Sequence, residues 1–172
     1  MFNAIAKSIK KVFGTKQERD VNTYMPIVEE VNEAFEGLSG LSNDELRNKT
    51  QEFRTRIAEH RAGIDKDIAE AQAEANQEEE LHRKESLFSE LDELKKDRNK
   101  HLEEVLRAIL PEAFAVVKET ARRFSASSEI RVTATEHDRD MAGDPKKGYI
   151  SIEGDQAIWK NSWMAAGGEI TW

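Results

Sequence analysis

The residues most able to do chemistry in this chain are its histidines and its many carboxylates. His60, His82, His101 and His137 are the four histidines, and none forms a His-x3-His pair of the kind that holds zinc on a helix. His137 stands in Thr135-Glu136-His137-Asp138-Arg139-Asp140, a run with donors for a cation. A solvated polar loop is the preferred reading of that run. Asp and Glu number 34, but in the middle of the chain they alternate with bases at helical spacings. That is the pattern of a solvated face supported by i,i+4 pairs. Acid–base catalysis needs a cleft that raises one carboxyl pKa, and nothing in the pattern marks one. Neither GxxxxGK[ST] nor GxGxxG occurs, and Gly167-Gly168 reads as a turn. The absence of cysteine excludes disulfides and thiolate metal or redox sites. Trp159, Trp163 and Trp172 offer faces for stacking a base or sugar, yet in an alternating β region they serve core or interface packing more often. With no complete catalytic, metal or nucleotide motif, the chain is expected to act by binding: catalytic residues none, metal none, cofactor none.

Charge directs attention to one end. The net charge of −8 conceals four lysines and no acid in residues 1–16, against a strongly acidic remainder. A nucleic-acid-binding domain would spread basic charge over a face, so no nucleic acid is expected. A basic tip on an acidic body suits local electrostatic attachment. Phe2, Ile5, Ile9, Val12 and Phe13 fall at helical spacings, with Lys7, Lys10 and Lys11 mainly opposite and Lys16 just beyond. Such a segment is a candidate for anionic phospholipids, each lysine contributing about 1 kcal/mol near the surface. The competing reading is a terminal helix docked on the protein's own body. No signal-peptide h-region and no run of about 18 apolar residues is present.

The elements that must position these residues follow from periodicity. Gly14 is placed to stop the first helix. A second helix is expected within residues 17–37, with Pro26 in its first turn or at a kink. Residues 37–41 (GLSGL) read as a turn. Ser42 and Glu45 form a capping box that opens a third helix. Ile57, Ile64, Ile68, Ala71 and Ala75 make a thin heptad seam, broken at Asn76–Glu80. Leu87, Leu91, Leu94, Leu102, Val105 and Ile109 rebuild it. The simplest reading is a charged antiparallel helical hairpin; one long helix is the alternative. Leu110-Pro111-Glu112 is expected to restart the helix, with Ala113, Phe114, Val116, Val117, Ala121 and Phe124 as the best candidate for a core element. After Ser125 the period becomes two, which predicts a strand over 129–135, a loop over 140–148 and a hairpin around Gly154-Asp155. The expected fold class is mainly α with a small C-terminal antiparallel β element (α+β).

Three stretches, KVFGTKQERDV (11–21), LSNDELRNKTQEFRTRI (41–57) and LPEAFAVVKETARRF (110–124), resemble the N-terminal region of the SecA family, ATP-driven motors of bacterial preprotein translocation. Their order and joint occurrence carry the resemblance. It covers residues 1–57 and 110–124 directly. The charged hairpin 58–109 and the β-rich segment 125–172 look like insertions found in a subset of the family. The division implied is residues 1–16 as basic amphipathic helix, 17–57 as helical region, 58–109 as hairpin, 110–124 as an apolar helix on the motor domain, and 125–172 leading towards the first nucleotide-binding fold. Fold and function are then those of an N-terminal fragment of a larger α/β motor domain, ending at Trp172 in a β-like run before the phosphate-binding loop.

The resemblance also implies partners. The family's N-terminal helix contacts anionic phospholipids and the Sec channel and aids homodimer formation. Here that maps to Phe2, Ile5, Lys7, Ile9, Lys10, Lys11, Val12, Phe13 and Lys16. Preprotein, ATP, Mg and a C-terminal zinc belong to family regions with no counterpart in this sequence. A cytoplasmic protein peripheral on the inner face of the bacterial cell membrane is implied. The rival reading is a self-contained, membrane-tethered helical adaptor or oligomerisation module.

Overall fold

A computed structural model describes residues 16–172. Three helices make up most of it: α1 (Lys16–Glu36), α2 (Asn43–Gln77) and α3 (Leu81–Ala126). There follow β1 (Glu129–Thr133), a short α4 (Glu136–Ala142), β2 (Ile150–Glu153), β3 (Gln156–Lys160), β4 (Ser162–Ala165) and β5 (Gly168–Thr171). The mainly α chain with a small antiparallel β element is thus the fold that forms.

The hairpin, not the single long helix, is adopted. Its first arm starts where the capping box predicts. Ser42 Oγ accepts from Glu45 N–H at 3.2 Å, and Glu45 Oε2 accepts from Ser42 N–H at 2.7 Å. At about 1.5 Å per residue, the 35 residues of α2 extend about 52 Å. The turn falls at the predicted break in the seam. Glu78 ends α2, and its side chain accepts from the amides of Glu79 and Glu80, both at 3.0 Å. Those contacts satisfy donors that the chain reversal would otherwise leave bare. Ala75, Leu87, Leu91, Val105 and Ile109 are buried along the seam. Charged pairs lace its outside, among them Arg61–Asp65 and Arg83–Glu78, both at 2.9 Å.

Pro111 behaves differently from expectation: it lies inside α3, which runs through it without a restart. Pro26 lies well inside α1, which excludes the first-turn alternative. A proline removes a single intrahelical bond, and packing along both arms outweighs that local loss. The 110–124 segment is also less completely core than its composition suggests. Ala115 is buried and Val116 half-buried, but Phe114 and Val117 are exposed. Only one face of α3 meets α1 and α2.

The β segment forms a three-stranded antiparallel sheet, order β1-β3-β2, and a separate two-stranded hairpin, β4-β5. Ile130 and Val132 alternate inward along β1, as the period of two predicts, and gather with Ala157, Phe124 and Trp159. The β2-β3 turn is the expected Gly154-Asp155, with Gly154 at φ +59°. In the β4-β5 turn, Ala166 (φ 51°) and Gly167 (φ 82°) both take left-handed conformations, matching the twist of a tight hairpin. Trp163 and Trp172 meet at the open end of that hairpin, 5.7 Å between ring centroids. The polar run around His137 is not a loop but α4, capped by Thr135. Thr135 Oγ1 accepts from Asp138 N–H, so the acid three places on completes a capping box.

Leu91 is completely buried in the distal half of the hairpin, beyond the other helix and sheet contacts. Leu91→Ala is expected to lower the unfolding free energy by about 3 kcal/mol. Urea denaturation followed by circular dichroism measures the loss, and amide exchange should localise it to the hairpin's outer half.

Candidate functional site

Most of the residues singled out for attachment lie outside the described residues: Phe2, Ile5, Lys7, Ile9, Lys10, Lys11, Val12 and Phe13. Lys16 is described and is the exposed first residue of α1. Among the described residues, no helix is long and apolar enough to cross a membrane.

What the structure brings together is a polar junction at the base of the hairpin, where α1, α2, α3 and β1 converge. Its centre is Glu119, on the inward face of α3 and fully buried. Glu119 accepts from Arg122 Nε and Nη2 and from Arg123 Nε, each at 2.7 Å. Arg123 then turns its remaining donors on the α1–α2 connection. Its guanidinium donates to Asn43 Oδ1 at 2.7 Å, to Leu41 O at 2.7 Å and to Leu38 O at 3.3 Å. One planar, permanently charged group therefore ties three segments of chain. Leu38, Leu46 and Ala115 pack directly beside it, with Val31, Ala34 and Phe35 of α1 closing the cluster.

A second set of contacts fixes the sheet. β1 pairs with β3 along one edge and presents its other edge to the start of α2. Asn43 Nδ2 donates to Arg131 O at 3.1 Å. Asp44 accepts from Thr133 N–H and from Thr133 Oγ1, both at 2.8 Å. Arg47 donates to Thr133 O at 3.2 Å, to Thr135 Oγ1 at 3.3 Å and to Asp138 Oδ1 at 2.8 Å. Residues 43, 44 and 47 lie in the first two turns of a helix, so one side of α2 supplies what a neighbouring strand would supply. A sheet edge that invites further pairing is covered in this way. A largely apolar cavity of about 290 Å³ remains between α2, α3 and the sheet, lined by Leu46, Val116, Phe124, Ile130, Val132 and Trp159 among others.

Both buried acids are held in the charged form. The bidentate Arg122 contact, opposed by burial and aided by Arg123, lowers the Glu119 pKa to about 2. Burial alone would raise Asp138, and it is the largest single influence. The Arg47 hydrogen bond and charge, with the Thr135 amide and hydroxyl, outweigh it together and bring Asp138 to about 2. Asp138 is thereby committed to the cap and to Arg47, which makes the 135–140 run a structural clamp. The sequence reading of this run named its residues but missed the clamp. So too the roles of Asn43, Asp44, Arg47, Glu119 and Arg123 were missed. The detectable signal was Glu119-x-x-Arg122-Arg123 on an otherwise apolar helix, a charge cluster where α3 must be buried.

This arrangement defines a class of element: a helical scaffold whose polar base locks a long hairpin to a small sheet. The SecA DEAD-like domain family matches residues 9–137, and the chain belongs to the SecA family. It is 45% identical over 168 residues to the protein translocase subunit SecA of Amoebophilus asiaticus, covering 96% of this chain and 15% of that protein. The corresponding subunit of Flavobacterium psychrophilum is 43% identical over 166 residues, covering 96% and 15%. That of Cytophaga hutchinsonii is 42% identical, covering 95% and 15%. The chain thus spans about 15% of the length of these curated relatives. The aligned length takes in both the charged hairpin and the β segment. No solved structure matches it.

The two depressed carboxyls fix the sign of an acid dependence. Their ordinary values are 4.5 for Glu119 and 3.8 for Asp138, and both stand near 2 in the fold. Their stabilising contribution is complete above the ordinary values and is lost as pH falls through them towards about 2. Glu119→Ala is expected to reduce stability by about 3 kcal/mol at neutral pH, since it strips Arg123 of its buried counter-ion. Its stability should also fall less steeply than that of the parent chain below pH ~4.5. Urea unfolding across that acid range checks both.

Proposed function

We propose that this chain supplies the N-terminal scaffold and the attachment segment of a SecA-type translocase, and that it contributes no catalytic group itself. The relatives carry this reading: proteins named as translocase subunits align over nearly the whole chain. In the activity proposed for the whole machine, ATP turnover drives unfolded preprotein through the Sec channel. ATP and Mg are bound by regions beyond the 15% of length shared here. The helical junction acts mechanically. It holds α1 and the hairpin in a fixed attitude, and it leaves the outer face of α3, including Phe114 and Val117, for packing against the motor.

Attachment is assigned to residues 2–13 with Lys16. Phe2, Ile5, Ile9, Val12 and Phe13 bury in the interfacial region of the lipid or against the channel. Lys7, Lys10, Lys11 and Lys16 meet anionic headgroups. A single short amphipathic helix binds reversibly, which suits a protein peripheral on the cytoplasmic face of the bacterial membrane.

Replacing Lys7, Lys10 and Lys11 together by Gln is expected to weaken partition of the 172-residue chain onto anionic vesicles by about 100-fold, three lysines at about 1 kcal/mol each. Equal binding by parent and variant in a flotation assay would remove the attachment role. Addition of ATP with Mg is expected to leave the melting temperature of the isolated chain unchanged. A clear upward shift would place a nucleotide site inside these 172 residues.

A further inference from the structure

The apolar seam of the hairpin has a gap in each arm. On α2 it passes from Ile57 to Ile64, and Arg61 stands at the skipped position. On α3 it passes from Leu94 to Leu102, with Arg98 midway. The two gaps meet. Asp65 accepts from Arg61 Nη2 at 2.9 Å and, across the hairpin, from Arg98 Nε. Beside them His60 and His101 face each other with ring centroids 5.5 Å apart, and Glu104 Oε2 stands 3.7 Å from His60 Nε2. One of the charged pairs on the outside of the hairpin thus reaches inward here and takes the place of apolar packing.

Burial drops over the same stretch. Between Phe53 and Ala75 on α2, and between Leu91 and Val105 on α3, no residue is buried. The packed cluster of Phe53, Val105 and Ile109 has Ile57 and Leu102 at its edge, and full burial resumes only at Leu91 and Ala75. Ion pairing offsets little of that loss. Two guanidinium groups share one carboxylate, and Arg98 and Asp65 are each 40% exposed, where such pairs contribute little. Arg61 Nε is shut off from solvent, and no acceptor among the described residues meets it. Gly63 stands between Arg61 and Asp65 in the interior of α2, where a Cβ would touch nothing. Packing does not call for glycine at that point, yet glycine weakens a helix interior more than any residue but proline.

We propose that this level is a joint about which the outer half of the hairpin, residues 66–96, bends while its base stays locked through Glu119 and Arg123. Bending there uncovers no buried apolar side chain, so it costs less than bending at either packed end. The Asp65 contacts hold the two arms in register as they flex, as a polar residue does in a coiled-coil seam. From Asp65 to Gln77 the first arm runs about 18 Å, so a bend of about 20° carries the tip through about 6 Å. The joint is a property of the hairpin itself and holds with or without the translocase role.

The chain has no cysteine, which allows paired spin labels at introduced thiols. Ser151→Cys on β2 is combined with Gln77→Cys at the tip or with Thr55→Cys near the base, all three being exposed positions. Pulsed electron spin resonance on the full 172-residue chain reads the two distance distributions. The sheet-to-tip distribution is expected to be about twice as broad as the sheet-to-base one, and equal widths would overturn the joint. Arg61→Leu with Arg98→Leu completes the seam and is expected to narrow the sheet-to-tip distribution to the width of the other. A distribution that stays broad in that variant would overturn the assignment to this level. Gly63→Ala, which leaves every side-chain contact in place, gives a second reading should the double variant not fold. Amide exchange over residues 60–66 is expected to slow about fivefold, and over residues 50–57 to stay unchanged. Exchange at 60–66 that does not slow would remove the joint.

Discussion

Glu119 is a charge withdrawn from water in the middle of a helical junction, and its burial requires the guanidinium groups beside it. A buried carboxylate without partners would be protonated or would unfold the site. Here Arg122 and Arg123 complete its hydrogen bonding, and Arg123 spends its remaining donors on Asn43 and on the carbonyls of Leu38 and Leu41. The α1–α2 turn, the start of α2 and the end of α3 are therefore held through one guanidinium group, that of Arg123. Everything beyond depends on it. The angle of the hairpin follows from where α2 starts. The position of the sheet follows from Asn43, Asp44 and Arg47 on that same first stretch of α2.

Two kinds of packing meet at this base. The hairpin's distal arms rest on a thin seam of Leu, Ile, Val and Ala with a charged exterior, a construction that depends on length and regularity more than on depth of core. The base depends on directional contacts between charged side chains and backbone. Such contacts contribute little unless they are buried, and they then favour one arrangement strongly over its neighbours. A lever-like hairpin on a polar, geometrically exact base suits an element whose task is to hold other parts in position.

The proposed translocase role gives the exposed apolar surfaces of this SecA-family scaffold a purpose, as contact faces for other parts of the machine. Phe114 and Val117 on α3, and Val21, Tyr24, Met25 and Val28 on α1, point away from the core of the described residues. The α3 face lies on the same helix as Glu119 and Arg123, which the junction holds in place, so it fits a permanent neighbour.

Local order was largely legible from the residues themselves. The capping box at Ser42, the seam of Leu87, Leu91, Val105 and Ile109, the break near Glu78, the alternation of Ile130 and Val132 and the turn at Gly154 all depend on neighbours within a few positions. Periodicity and propensity therefore reported them correctly. The family was legible too, because three short stretches kept both their residues and their order. Pro111 misled, since tertiary packing on either side carried α3 through it. The polar run at 135–140 misled because its Asp138 finds a partner in Arg47, 91 residues away. The junction itself was invisible in one dimension. Glu119 and Arg123 look like ordinary helical charges until α3 is laid against Leu38, Leu41 and Asn43. Only the tertiary fold removes them from water, and burial is what turns a solvated pair into the contact that positions the rest.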